Sequence, residues 1–467
     1  MFRQGAFEQL QSRRRWAVDL RFHIEPNLRR LRAYLAISEA GTVQRAAEKL
    51  HLTQSSLTRA VQELERQLGL RLFERTRRGM VPTEFGAILS ERVRRAMLQL
   101  ETVEKELIAE HAKAGHVRYP NGFSNKVTHR QLSAFLSIAS CRTERGAAQQ
   151  LDLSQPAMTQ ALRDLERLVG EALFIRTTRG MVATPFGEIL LRRAKLALAE
   201  ITAAGDDIAT RVGRIMGRVV IGVLPLAGAL MVARAVNLLL KEHPSLQVMM
   251  VEGTYQSLIN GLLCGDIDLI VGGLNHPVLS EVVRDHLFQD TQSLVVRKNH
   301  PLAIKRGVSL RDLAGLEWVV PRRETPARKC FEEAIKAAGL DTGEYPVETD
   351  SLLTLRALLL DSDRVALVSR RQVRIEEAAG LLAVLPIKIE KGDVPVGIHM
   401  RADTLPSVGV QALVKHLHAI SDGSGVDRNA DAAVEQLPLA GAVRRHGRPA
   451  LDGNSSIIHD LGNILSP

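Results

Sequence analysis

The sequence predicts an α+β multidomain chain: two tandem helix-turn-helix units, each running into a long helix, then a two-lobed α/β domain. Three observations predict it. The segment AAEKLHLTQSSLTRAVQELERQLGLRLFERTRRGMVPTEFG (Ala46 to Gly86) recurs as AAQQLDLSQPAMTQALRDLERLVGEALFIRTTRGMVATPFG (Ala147 to Gly187), every position shifted by 101 without a gap. About half the aligned positions are identical, and repetition of this kind orders the whole reading. From Gly217 onward, short apolar runs alternate with helical patterns, as α/β lobes require. The charge is also divided. Up to Arg218 there are 36 Lys+Arg against 23 Asp+Glu, a net of +13, and the remainder carries 26 against 29. A basic front half beside a slightly acidic back half suits a polyanion-binding part joined to a part with another task.

The 467 residues, 45% of them hydrophobic, allow about three domains with cores of their own. The boundaries read as a basic extension (1–26), a first unit with its long helix (27–112), a linker (113–126), a second unit (127–214) and the two-lobed domain (217–420). Within that domain, lobe I takes about 217–290 and 392–420, and lobe II about 291–391. The last stretch, 421–467, is rich in Gly, Asp, Asn, Ser and Pro without periodicity and reads as a disordered tail. Cys141, Cys264 and Cys330 are widely spaced and suggest neither a disulfide framework nor a zinc site. No apolar core follows the arginines of the N-terminus, and no run of about 18 apolar residues occurs, so neither export nor membrane insertion is expected.

In the first unit, Leu28, Leu31, Leu35 and Ile37 lie near helical spacing and end at Gly41. Thr42 can cap a helix from Val43 to Leu50, whose Ala46-Ala47 pair lets another helix approach closely. Thr53 can cap the next, Gln54 to Leu68. There Leu57, Val61, Leu64 and Leu68 form an inward stripe, and the other face opens with Gln54, Ser55, Ser56, Thr58 and Arg59. A buried seam under a face rich in amides and hydroxyls is what a helix presented to base edges needs. Apolar Leu70, Leu72 and Phe73 then lead to Arg75, Arg77 and Arg78 around a Gly79 turn, a hairpin tip suited to phosphate or the minor groove. The second unit keeps Arg176, Arg179 and Gly180 but has Thr178 in place of Arg77. It also has Arg142 in place of Gly41, and Gly146 inside its second helix. Thr83 and Thr184 cap the long helices.

These strings resemble the winged helix-turn-helix of LysR-type transcriptional regulators. The likeness covers the helix pair, the recognition start, the L-E pair, L-F-x-R-T and the wing R-G…T-x-x-G. It implies that Gln54, Ser55, Ser56, Thr58 and Arg59 read bases or phosphates, with Gln155, Pro156, Ala157, Thr159 and Gln160 as their counterparts. The caps Thr42, Thr53, Thr143 and Ser154 and the wing residues Arg75, Arg77, Arg78, Arg176 and Arg179 join that set.

The long helices run from Glu84 to about Ala112 and from Pro185 to about Val212, with apolar residues at threes and fours sufficient for a helix–helix seam. In the resembled family this helix pairs two subunits. Here two pairings stand open: within one chain, making a pseudo-dimeric reader, or between chains.

In the back half, RVVIGVLPL, LQVMMVEG, IDLIVGGL, SLVVR, WVVP, YPVET, RVALVS, LAVLPIKI and VPVGIHMR read as strands with helices between, in parallel sheets. The chain passes between lobes near Asp290 and returns near Lys391. The order, with IGVLP, VEG and L-x-x-G-D-I-D-L-I-V-G, is similar to the LysR effector-binding domain, which shares the periplasmic-binding-protein-like fold. Such folds hold ligands at the carboxyl ends of strands, near helix N-termini. That selects Leu226, Ala227, Gly228, Thr254, Leu274, Asn275, Arg322, Arg323 and Ser351. Hydroxyl, amide and guanidinium groups suit a carboxylate or sugar-like effector. For Arg322 and Arg323 two readings stand, ligand contacts or plain surface charges.

No nucleophile–base string, H-E-x-x-H, phosphate loop or dinucleotide fingerprint stands in a supporting context, so no catalysis, metal or cofactor is expected. The resemblance implies a cytoplasmic regulator that binds promoter DNA and a small effector. Its expected state is a homo-oligomer, with RNA polymerase as a further partner. The alternative is a constitutive architectural DNA binder whose back half serves only oligomerisation.

Overall fold

The structure is a computed structural model that describes residues 24–422 apart from 78, 114–121, 214, 225–228, 324, 338, 340–344 and 390–391. The basic extension up to residue 23 and the tail from 423 lie outside the described residues, as does most of the linker.

The front half builds the same series twice. The first module has α1 (Leu28–Ala40), α2 (Val43–Leu50), α3 (Gln54–Leu68), β1 (Phe73–Thr76), β2 (Gly79–Pro82) and α4 (Glu84–Lys113). The second has α5 (His129–Cys141), α6 (Glu144–Gln150), α7 (Gln155–Val169), β3 (Phe174–Thr177), β4 (Gly180–Ala183) and α8 (Pro185–Arg211). Two glycine pairs make the repeat possible. At the wing tips, Gly79 and Gly180 have φ of +121° and +104°, and the next residue, Met80 or Met181, donates its N–H at 2.8 Å to the carbonyl of Gly41 or Arg142. A Cβ on either glycine would collide with that carbonyl. In the first turn of each long helix, a Cβ on Gly86 or Gly187 would collide with the carbonyl of Leu72 or Leu173. Arg142 replaces Gly41 and still takes the left-handed conformation, at φ +57°, where a side chain is strained.

The long helices α4 and α8 pack against each other antiparallel within the chain. Glu84 at the start of α4 pairs with Arg211 at the end of α8. Further along, Arg193 reaches Gln99 at 2.8 Å and Glu106. Leu89, Val93, Ala96, Leu100, Val103 and Leu107 meet Leu190, Ala194, Ala197, Ile201, Ala204 and Ile208 in one buried cluster that also holds both module cores. The end of the linker belongs to this body. Phe123 and Val127 are fully buried, and Arg32 donates to the Val127 carbonyl at 2.9 Å.

The back half contains β5 (Gly217–Val223), α9 (Ala229–Glu242), β6 (Leu246–Glu252), α10 (Tyr255–Leu263), β7 (Leu269–Gly273), β8 (Val282–Arg297), β9 (Trp318–Val320), α11 (Pro326–Ala337), β10 (Val347–Glu348), α12 (Leu352–Leu360), β11 (Val365–Ser369), β12 (Leu382–Val384), β13 (Asp393–Arg401) and α13 (Val408–Ser421). One sheet runs through both lobes in the order β10-β9-β11-β8-β13-β7-β5-β6, with β12 on β8. This corrects the expectation of parallel sheets. The pairs β5·β6, β5·β7, β9·β10 and β9·β11 are parallel, but β8 and β13 run antiparallel to each other and to β11 and β7. The reason is topological: β8 carries the chain out of lobe I and β13 brings it back, and the two pair where they pass. Each lobe then buries both faces of its half of the sheet under helices.

Candidate nucleic-acid interface and ligand cleft

In the first module the helix starts are fixed by hydroxyl caps. Thr42 Oγ1 accepts the Arg45 N–H and Thr53 Oγ1 the Ser56 N–H, each at 3.3 Å. The Thr53 hydroxyl also lies 3.1 Å from that of Ser55 and 2.8 Å from that of Ser56. Gln54, Ser55, Ser56 and Arg59 are exposed, whereas Thr58 is half-buried and donates to the Gln54 carbonyl at 2.9 Å. Arg75 and Arg77 are exposed on the wing, and Arg78 lies outside the described residues. Recognition-helix start and wing thus open to solvent together.

The second module repeats the frame with different electrostatics. Thr143 caps α6 and Ser154 caps α7, accepting from Gly146 and Ala157. Gln155, Pro156, Thr159, Gln160 and Arg163 line an open depression, while Ala157 is half-buried. Arg163 was not selected from sequence. Arg179 is exposed, but Arg176 is bound at 2.7 Å to Glu144, which also accepts the Thr159 hydroxyl. Glu144 was missed as well; its signal was the replacement of Val43 by an acid at the aligned position.

Front and back halves meet around Arg92, whose side chain is 3% exposed. Its guanidinium donates to Glu200 at 2.7 Å, to Asp207 at 2.8 Å and to the Leu405 carbonyl at 2.8 Å, so one residue of α4 ties α8 and lobe I together. Arg95 repeats the bridge through Glu200, at 3.0 Å, and the Asp403 carbonyl. Beside them Asp206 is pushed up to about 7, by burial first and then by Asp207 and Asp268, against the pull of Arg92.

The ligand residues selected from sequence are spread over the lobe edges. Thr254 caps α10 and Ser351 caps α12, each hydroxyl accepting a backbone N–H. Leu274 donates to the Pro395 carbonyl at 2.8 Å and accepts from Arg284 at 3.0 Å, which occupies its backbone. Asn275 is exposed. Arg322 pairs loosely with Asp350 at 3.9 Å and Arg323 with Glu348 at 3.3 Å. Leu226, Ala227 and Gly228 lie outside the described residues.

A second polar group stands where β8 crosses between lobes; sequence reasoning put the crossing near Asp290 but selected none of its residues. Asp290 and Gln292 are 3% and 7% exposed, yet Asp290 Oδ2 and Gln292 Nε2 lack a hydrogen-bond partner among the described residues. Ser369, fully buried at the carboxyl end of β11, bonds Asp290, and the Arg371 guanidinium lies 4.3 Å from the Phe288 ring centroid. Burial pushes the Asp290 carboxyl above its usual range, against the Ser369 and Thr291 hydrogen bonds. An orphaned acceptor beside an orphaned donor is complementary to a ligand group, or water, that offers both.

Comparison with known proteins agrees with this architecture. A profile described as "Bacterial regulatory helix-turn-helix protein, lysR family" matches twice, over 28–87 and 129–188, and "LysR substrate binding domain" matches 213–421. The chain is similar to the HTH-type transcriptional regulator GalR of Pseudomonas putida, 32% identical over 391 residues, covering 83% of this chain and 96% of that one. That length exceeds one winged module plus the two-lobed domain. It is also similar to the HTH-type transcriptional regulator PcaQ of Agrobacterium fabrum, 31% identical over 302 residues, 64% of this chain and 96% of the relative. Full-length OxyR of Pseudomonas aeruginosa shares the fold over 63% of this chain and 95% of its own, with a TM-score of 0.50 and 19% identity. Two winged modules, long linker helices and a two-lobed domain, matched at these places, make the chain a member of the LysR family of helix-turn-helix transcriptional regulators.

Proposed function

We propose that this regulator reads promoter DNA with both winged modules, mounted as a pair inside one chain, and that a small effector in the inter-lobe cleft alters how they are held. The observation that carries this reading is the antiparallel α4–α8 seam, locked by Arg92, Arg95 and Arg193. In this reading the exposed groups Gln54, Ser55, Ser56, Arg59 and Arg77, with Gln155, Pro156 and Gln160, meet the DNA, and the caps fix the helix ends that present them. The effector sits against Asp290, Gln292 and Ser369, with Thr254 and Ser351 at the rim. It is a small polar molecule, a carboxylate or a sugar, carrying both donor and acceptor groups. Its binding energy is coupled to DNA through Arg92, which touches both linker helices and lobe I. The protein acts by binding alone, in the cytoplasm, as a homo-oligomer, and RNA polymerase responds to the rearranged complex. Among the described residues no helix is long and apolar enough to cross a membrane.

Footprinting the DNA upstream of its own gene tests this, with Gln54→Ala/Ser56→Ala and Gln155→Ala/Ala157→Glu beside the wild type. Each double variant is expected to lose a different part of the protected region. Loss confined to one variant contradicts a paired reader. A thermal-shift screen with small carboxylates and sugars tests the cleft. A ligand that stabilises the wild type and not Asp290→Ala supports it, and no stabilisation by any member of either class leaves the constitutive architectural binder as the better account.

A further inference from the structure

The two modules share a frame but not a charge. Between Thr42 and Gly86 there are eight Lys+Arg against five Asp+Glu; between Thr143 and Gly187 there are five against five. The most consequential exchange is Val43 for Glu144, because of where the acid sits. Glu144 is only 9% exposed, in the first turn of α6, yet it touches both elements that face DNA in the reading above. One carboxylate oxygen holds the wing guanidinium of Arg176 at 2.7 Å, and the other accepts the hydroxyl of Thr159 on the recognition helix. The Arg176 side chain is 80% exposed, and its ion-pair partner among the described residues is this acid. In the first module the aligned trio is Val43, Thr58 and Arg75, and Arg75 has no ion pair among the described residues.

We propose that Glu144 is a built-in electrostatic brake on the second module, latching wing to recognition helix and occupying the guanidinium that would otherwise meet a phosphate. The inference rests on the reading that both modules face DNA. It adds a division of labour: the first module supplies most of the phosphate affinity, and the second binds weakly and is set by base contacts. A fixed carboxylate between wing and recognition helix repels the DNA backbone, and an arginine already paired releases no counterion on binding. Repression of non-specific binding by such a like-charge element is a known route to specificity.

The test uses the full-length protein and a duplex cut from the region it protects. Affinity is measured as a function of salt for the wild type, Glu144→Val, Glu144→Gln and the reciprocal Val43→Glu. Glu144→Val is expected to tighten binding about fivefold and to steepen the slope of log K against log salt by about 0.9, the value for one further phosphate contact on B-DNA. Glu144→Gln gives most of that gain, and Val43→Glu weakens binding and flattens the slope. Arg176→Ala changes affinity less than Arg75→Ala in the wild type, and its effect grows in the Glu144→Val background. Thermal melts of each variant identify any that fail to fold; Arg176→Ala, which leaves α6 untouched, keeps the comparison decisive. An unchanged affinity and slope in both Glu144 variants overturns the brake. So does weaker binding in both with wild-type melting, which would mean that Glu144 aims Arg176 productively. A wild type that protects no DNA defeats the underlying two-reader account instead.

Discussion

Arg92 shows how much one side chain is asked to hold. Its side chain is 3% exposed, and those of its partners Glu200 and Asp207 are 12% and 17% exposed. Removing one member of such a group leaves buried charge uncompensated, which costs about 3–5 kcal/mol. Arg92→Ala is therefore expected to lose about 3 kcal/mol in urea unfolding, and Arg94→Ala, on the exposed side of α4, less than about 0.5 kcal/mol. Asp206 gives a pH signature at the same joint. Its folded value of about 7 lies above the ordinary 3.8, so the folded chain holds a proton that the unfolded chain has released. Its contribution to stability is present below about pH 3.8 and lost as pH rises through 7. Asp206→Asn removes that loss. The variant should melt close to the wild type near pH 3 and increasingly above it as pH rises, by up to about 4 kcal/mol of stability at pH 8. A gap that is constant across this range contradicts the assignment.

Among the elements, the winged modules were the most legible. Their caps, apolar stripes and wing glycines each follow from local rules, and the second copy repeats them. Gly86 and Gly187 show why the repeat keeps T-x-x-G. Both sit in helices, where Gly→Ala ordinarily gains about 1 kcal/mol. Here the added methyl meets the Leu72 or Leu173 carbonyl, so Gly86→Ala and Gly187→Ala are expected to reverse that sign and lose about 2 kcal/mol in chemical denaturation. The first half of β8 was not legible, because Arg284, Asp285 and His286 break the alternation expected of a strand. Two of them have partners that hold them: Arg284 donates to the Leu274 and His276 carbonyls, and Asp285 pairs with His418. The parallel-sheet expectation failed because propensity does not encode strand direction where the chain crosses between lobes. Asp290 and Gln292 stayed hidden within that strand. Thr254 and Ser351 were legible as helix caps, because a cap has a sequence signal and a buried crossing does not.

For the whole molecule, charge division and repeat pointed to two readers and a separate sensing part. They did not decide how the readers are joined, since an apolar stripe at threes and fours serves a seam within or between chains equally well. The seam is decided by charges far apart in sequence: Arg92 with Glu200 and Asp207, and Arg193 with Glu106. With both linker helices spent on each other, assembly of several chains must use surfaces outside the α4–α8 seam. The basic front half also sets a salt signature, and DNA affinity is expected to fall at least tenfold between 50 and 200 mM salt, roughly what several phosphate contacts produce.

The most direct measurement is cross-linking across the seam. Cysteines replace Glu84 and Arg211, whose side chains pair in the structure, in a chain whose three native cysteines have been changed to alanine. A short bismaleimide is added to dilute full-length protein, and the product is sized under denaturing conditions and mapped by mass spectrometry. The account predicts a linked species at the mass of one chain, with a yield independent of dilution. Linkage found only at twice that mass, fading on dilution, would contradict it.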